Sequence, residues 1–214
     1  MLKPSLLNEL INKFGLATCE KELIYSYILA NKINFEKSAI LTKYFSNFVS
    51  QYIFNDANFS SIYILENFLE LIIPPNDKKL NGAFFTPNYI VNFIINKLSP
   101  KINDKNIDPS CGSGAFLIGL VDYYTKKFNK SIKKIINENI YGIDILEYNI
   151  ERAKILLALY ALQNNEILDK EDFNLFQENS LKTNWISLFP NNPSGKFNNV
   201  VGNPPYVKFQ DLTD

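Results

Sequence analysis

Asn203-Pro204-Pro205-Tyr206, entered directly from Val200-Val201-Gly202, is the segment of this chain best suited to chemistry. Prolines cannot donate to a β-ladder, so a strand built on the two valines has to stop there. The residue before each proline is pushed toward extended geometry. The product is a stiff turn at the carboxyl end of a strand, with an amide and an aromatic ring at its tip. The Asn203 oxygen and a backbone carbonyl facing one point make an acceptor pair for an NH2 group. The Tyr206 ring offers a face on which a planar group can stack. The same residues also suit a plain loop.

Two further segments end strand-like runs in polar residues. Asp108-Pro109-Ser110-Cys111-Gly112-Ser113-Gly114 follows the short run Lys105–Ile107 and opens a helical pattern from Ala115 to about Phe128. Glycines at 112 and 114 let the backbone turn sharply and approach a ligand closely, and the helix N-terminus behind them favours negative charge. The loop lacks the Gly-Lys-Ser/Thr ending of a phosphate-binding P-loop and does not match Gly-x-Gly-x-x-Gly. Ile140-Tyr141-Gly142-Ile143-Asp144 ends in a carboxylate 30 residues after Gly114, before a helical pattern from about Leu146 to Leu162. An acid there commonly accepts from ribose hydroxyls, or it caps the next helix. Upstream, Phe84-Phe85-Thr86-Pro87 precedes a helix from Pro87 to about Leu98, with Thr86 expected as N-cap and Pro87 as first helical residue.

Phe-Thr-Pro, Asp-Pro-x-Cys-Gly-x-Gly-x-Phe-Leu, Gly-Ile-Asp and Asn-Pro-Pro-Tyr, in that order over residues 80–209, together resemble the N6-adenine-specific DNA methyltransferases of restriction–modification systems. The resemblance implies S-adenosylmethionine as cofactor and a Rossmann-like α/β fold, a parallel sheet with helices on both faces. It implies that Phe85 and Thr86 touch the methionine end of the cofactor. Asp108, Pro109, Cys111, Gly112 and Gly114 would cradle its amino-acid moiety. Asp144 would hold the ribose, and Ile145 would pack on the adenine. Asn203, Pro204, Pro205 and Tyr206 would form the catalytic turn, the first two accepting from the exocyclic amine of a flipped adenine and Tyr206 stacking on it. Phe176-Gln177-Glu178-Asn179-Ser180-Leu181 departs from the Asp-Ser-Leu of many relatives, and Asn179 stands there as the candidate ligand of the cofactor adenine.

Four strands are countable, at about 104–108, 139–143, 173–177 and 198–202. The family's sheet is larger and is joined to a target-recognition domain, so the chain reads as truncated after the catalytic motif. The strand 198–202 is then an open edge, suited to a protein partner or to self-association. Residues 1–73 carry apolar positions at helical spacing and read as a helical bundle, 74–82 as a linker and 83–214 as an incomplete methyltransferase domain. No Asp…Glu-x-Lys nuclease cluster is evident.

Composition narrows the partners. With 46% hydrophobic residues the chain can bury a core, and with 22 basic and 22 acidic residues it has no net charge. Double-stranded DNA would have to be gripped by the missing recognition region or a partner subunit. The one lysine-rich run, Lys126, Lys127, Lys130, Lys133 and Lys134, reads as a solvated helix end. Two cysteines make no disulfide framework, and the sequence contains neither histidine nor a metal-ligand cluster. No signal-peptide core or membrane-length apolar run is evident, so a cytoplasmic location without membrane association is expected. Two other readings stay open: a protein glutamine N5-methyltransferase, whose amide poses the same chemical problem, and a non-catalytic cofactor-binding or assembly subunit.

Overall fold

Buried strands with polar residues at both ends organise this molecule, a computed structural model that describes residues 4–54, 59–73 and 86–206. The expected linker 74–82 and Phe85 lie outside the described residues. Helices α1 (Pro4–Phe14), α2 (Leu16–Ala30), α3 (Ala39–Tyr44) and α4 (Ile62–Leu71) come first. They are followed by α5 (Asn88–Leu98), β1 (Asn106–Asp108), α6 (Ala115–Phe128), α7 (Ile132–Glu138) and β2 (Ile140–Asp144). The last part holds α8 (Glu147–Gln163), β3 (Asn174–Gln177), α9 (Trp185–Leu188) and β4 (Asn199–Val200). Each strand falls within the span the sequence suggests, apart from the last residue of β2, but β4 is only two residues long.

The four strands form one parallel sheet in the order β3-β2-β1-β4. Ile107 lies opposite Tyr141 and Val200, and Tyr141 opposite Asn174. The chain steps outward from β1 to β3, then returns to the other side of β1. That reversal is a topological switch point, and ligands of open α/β sheets bind in the crevice beyond the strands' carboxyl ends at such a point.

The two faces are unequally covered. Right-handed crossovers through α6 and α8 keep these helices on one side, where Leu117, Leu120 and Val121 join Ile155, Leu156 and Leu159. The opposite face carries the short α9 and an aromatic cluster: Ile107, Tyr141, Ile143 and Phe189, flanked by Phe176, Trp185 and Phe197. Alternation along β1 and β2 sends Ile107, Tyr141 and Ile143 to that second face.

Helices α1 to α4 share the first core without a break, through Leu23, Ile24, Tyr27, Leu65 and Leu69. Polar ties reinforce the junction. Tyr27 Oη donates to Gln163 Oε1 at 2.6 Å. Arg152 of α8, only 4% exposed, meets Glu20 of α2 through both carboxylate oxygens at 3.0 and 2.5 Å.

The amino ends of the strands are held by asparagines. Asn106 Nδ2 donates to Tyr124 Oη and to the Asn139 carbonyl, and Asn199 Nδ2 donates to Asn106 Oδ1. Asn174 Nδ2 reaches three carbonyls, including that of Ile140. The lysine-rich run lies toward this same end. Lys126 pairs with Asp122, Lys130 with Glu138, and Lys133 with Asp169 and Asp172, so three of its five lysines are matched by acids. No described helix is long and apolar enough to cross a membrane.

Candidate active site

Beyond the carboxyl ends of β1, β2 and β4 lies a cleft of about 820 Å3 of empty space, open mouth included. It is lined by Thr86, Asp108, Cys111, Gly112, Asp144, Ile145, Asn203 and Pro205 from the motifs, with Glu66 and Glu70 from α4. The motif segments are thus brought to one place although Thr86 and Asn203 stand 117 residues apart.

Asp108 ends β1 and is 2% exposed. Its Oδ1 accepts from Ser110 N at 3.0 Å. Burial, opposed by that hydrogen bond and reinforced by the charge of Asp144, pushes its carboxyl up from 3.8 to about 7. The turn after β4 rests directly on this group: a Cβ on Gly202 would stand 2.3 Å from Asp108 Oδ1. Only glycine allows that approach, and it sets the turn that follows β4 against the end of β1.

The loop after β1 is fastened to β2. Cys111 N donates to the Ile143 carbonyl and Gly112 N to Asp144 Oδ2, both at 2.9 Å. Gly114 has φ +97°, and a Cβ there would lie 3.1 Å from Ala153 Cβ on α8. Asp144 also accepts through Oδ1 from Leu146 N at 2.9 Å and Asn149 Nδ2 at 3.0 Å. It therefore steadies the start of α8 while facing the cleft; a carboxylate has about four acceptor sites, so one remains. Cys111 is buried, and burial followed by the charges of Asp108 and Asp144 pushes its thiol well above the usual range. It stays a neutral wall of the cleft rather than a nucleophile.

Thr86 is not the N-cap of α5. Pro87, extended at ψ 140°, takes that position, and its carbonyl accepts from Ile90 N and Val91 N. The helix begins one residue later than the sequence suggests, at Asn88. The Thr86 hydroxyl instead accepts from Asn203 Nδ2 at 3.1 Å. This bond fixes which way the Asn203 amide faces.

Pro109, Gly114 and Pro204 shape the backbone and are not among the lining residues, and neither are Tyr206 and Asn179. Tyr206 is 65% exposed at the rim. Asn179 uses its own Oδ1 to accept from Leu181 N at 3.0 Å, closing a local turn. Glu66 and Glu70 went unnoticed in the sequence, where they merely interrupt the apolar stripe of α4. Among the described residues the cleft wall contains four carboxylates and neither lysine nor arginine. Among the described residues no group of His, Cys, Asp or Glu could hold a metal ion.

The family model for N-6 DNA methylases matches residues 56–212. The chain belongs to the N-6 DNA methylase family. It is 32% identical over 65 residues to the type I restriction enzyme EcoEI methylase subunit of Escherichia coli, covering 29% of this chain and 13% of that one. It is 30% identical over 128 residues to the type I restriction enzyme MjaVII methylase subunit of Methanocaldococcus jannaschii, covering 58% of this chain and 18% of that one. It is 30% identical over 193 residues to the type II restriction enzyme and methyltransferase RM.Eco57I of Escherichia coli, covering 65% of this chain and 19% of that one. This N-6 DNA methylase chain therefore spans less than a fifth of the length of these relatives.

Proposed function

We propose that the chain carries the cofactor-binding and amine-binding half of an N6-adenine DNA methyltransferase of restriction–modification type, with S-adenosylmethionine as methyl donor. One observation carries this reading. Asp108, Asp144 and Asn203, each at or just beyond the end of a parallel strand, line one cleft at the sheet's switch point. The residues fit the cofactor. Asp144 keeps an acceptor site for a ribose hydroxyl, the exposed side chain of Ile145 offers an apolar surface for a ring, and the four carboxylates among the lining residues suit a ligand with cationic groups. Family membership favours DNA over a glutamine side chain as the target.

When bound, S-adenosylmethionine supplies an electrophilic methyl group. The adenine amine is a poor nucleophile because its lone pair is delocalised into the ring. The Asn203 oxygen and the Pro204 carbonyl accept from its two hydrogens and stabilise the charge that develops as the nitrogen becomes tetrahedral. Thr86 positions the Asn203 amide for this task. The surplus proton passes to water afterwards, so no general base is needed. The loop 108–114 would hold the donor beside the amine. Duplex recognition falls to partner subunits or to sequence outside this chain, because the lysine-rich run is largely paired with acids and lies toward the far end of the sheet. The exposed side of β4, with Val200 at 63% exposure, is where such a partner would add to the sheet.

Calorimetry with S-adenosylmethionine and its demethylated product tests the cofactor half of this reading. We expect binding to the wild type and loss of detectable heat in Asp144→Ala. Asn203→Ala should keep cofactor affinity within a few-fold and abolish methyl transfer in a DNA-methylating assembly that contains this chain. Equal heats for the wild type and Asp144→Ala would refute the cofactor assignment. Tritium-methyl transfer by Asn203→Ala near the wild-type rate would refute the catalytic one.

A further inference from the structure

Helix α4 comes from the region before the methylase motifs, yet it forms one wall of the cleft. Glu66 and Glu70 lie one turn apart and both line it. Glu70 Oε1 accepts from Ser113 Oγ at 2.6 Å, which pins the helix to the glycine loop. Glu66 is different. It is 4% exposed, and among the described residues its carboxylate has neither a hydrogen-bond donor nor an ion-pair partner. A largely buried carboxylate without a partner is costly. Burial first, then the neighbouring Glu70, holds its proton well above the usual carboxylate range. A hydrophobic residue would pack at this point of α4 without that cost, so the group's presence calls for a cationic ligand.

The candidates are few. A metal ion is disfavoured because no group of three metal-binding side chains converges there. Among the described residues, no lysine or arginine lines the cleft. A cation that arrives with the ligand suits this group, and the bond to Ser113 places α4 beside the glycine loop rather than beside Ile145.

We propose that Glu66 is a cofactor-binding residue that receives the α-ammonium group at the methionine end of the donor, with Glu70 anchoring α4 in reach. The inference rests on the cofactor reading above and extends it to a residue outside every motif. It gives the helical region a direct share in cofactor affinity.

Two ligands separate the ammonium from the rest of the cofactor. S-adenosylhomocysteine carries the ammonium without the sulfonium; 5′-methylthioadenosine carries the nucleoside without the amino acid. Calorimetry on the 214-residue chain should find that Glu66→Gln weakens S-adenosylhomocysteine by about tenfold or more, the effect of removing a charge-assisted hydrogen bond. The affinity for 5′-methylthioadenosine should stay within about twofold. Glu66→Asp should recover part of the loss. Glu66→Gln should melt no lower than the wild type, since it removes a buried charge without changing shape. Unchanged S-adenosylhomocysteine affinity in Glu66→Gln overturns the proposal. An equal loss for both ligands, or a lowered melting temperature, assigns Glu66 a structural role and overturns it as well. A wild-type chain that binds neither ligand overturns the cofactor reading itself, and the inference falls with it.

Discussion

Replacing Asp108 with asparagine should stabilise the ligand-free chain while weakening its hold on the cofactor. The carboxyl is pushed from 3.8 to about 7, chiefly by burial. At about 1.4 kcal/mol per pH unit, an ionised Asp108 costs the fold about 4 kcal/mol at high pH. The sign follows from proton uptake. Below pH 3.8 the group is protonated both folded and unfolded, and the cost is absent. As the pH rises toward 7 the unfolded chain gives up its proton first, so stability is lost progressively across that interval. Asparagine has the same shape, can accept from Ser110 N, and carries no charge at any pH. The stability gap between Asp108→Asn and wild type should therefore widen by about 2–3 kcal/mol between about pH 5 and about pH 8. For a chain of this size that is roughly 5–10 °C in melting temperature. Thermal melts at both pH values, read by circular dichroism, measure it. Calorimetry at pH 8 should show weaker binding of S-adenosylmethionine by the same variant. A melting difference that does not change with pH, or a variant that melts below the wild type at pH 8, would refute the argument that Asp108 is held against its own ionisation.

Gly202→Ala should destabilise the chain by about 1–3 kcal/mol, because the new methyl would overlap Asp108 Oδ1 at 2.3 Å and must push the loop or β4 aside; urea unfolding checks the first effect and calorimetry an accompanying loss of cofactor affinity. Glu20→Gln or Arg152→Met alone should cost about 3–5 kcal/mol by leaving one member of a buried ion pair unmatched. The double variant Glu20→Leu/Arg152→Met should recover most of that cost, and a double-mutant cycle in urea that shows simple additivity would count against the pairing.

Much of the α/β half is legible along the chain because strand ends coincide with chemistry. Asp108 and Asp144 each close a buried strand and precede a helix, so a single residue marks the strand end and the turn together. The misjudged positions depend on partners distant in sequence. Thr86 has the residue type of an N-cap, but Pro87 adopts the cap geometry and the hydroxyl is engaged by Asn203. Glu66 lies inside a helical pattern and shows nothing unusual until α4 is laid against the glycine loop. Arg152 and Glu20 are 132 residues apart, and no local rule joins them. The continuity of the core through α1 to α4 has the same origin, since periodicity reveals an apolar face but not its counterpart.

The asparagines at the back of the sheet have a consequence for the front. These strands are two to five residues long, so their ladders contain few hydrogen bonds with which to choose an alignment. A shift of one residue would swing the Asn106 amide to the other side of the sheet, among Tyr141, Phe189 and Phe197, and strand its polar atoms in an aromatic cluster. The amides of Asn106, Asn174 and Asn199 therefore act as the zero mark of a ruler. Asp108 is read off two residues along one strand and Gly202 three residues along its neighbour, and their meeting at the cleft is a distance measured from the opposite end.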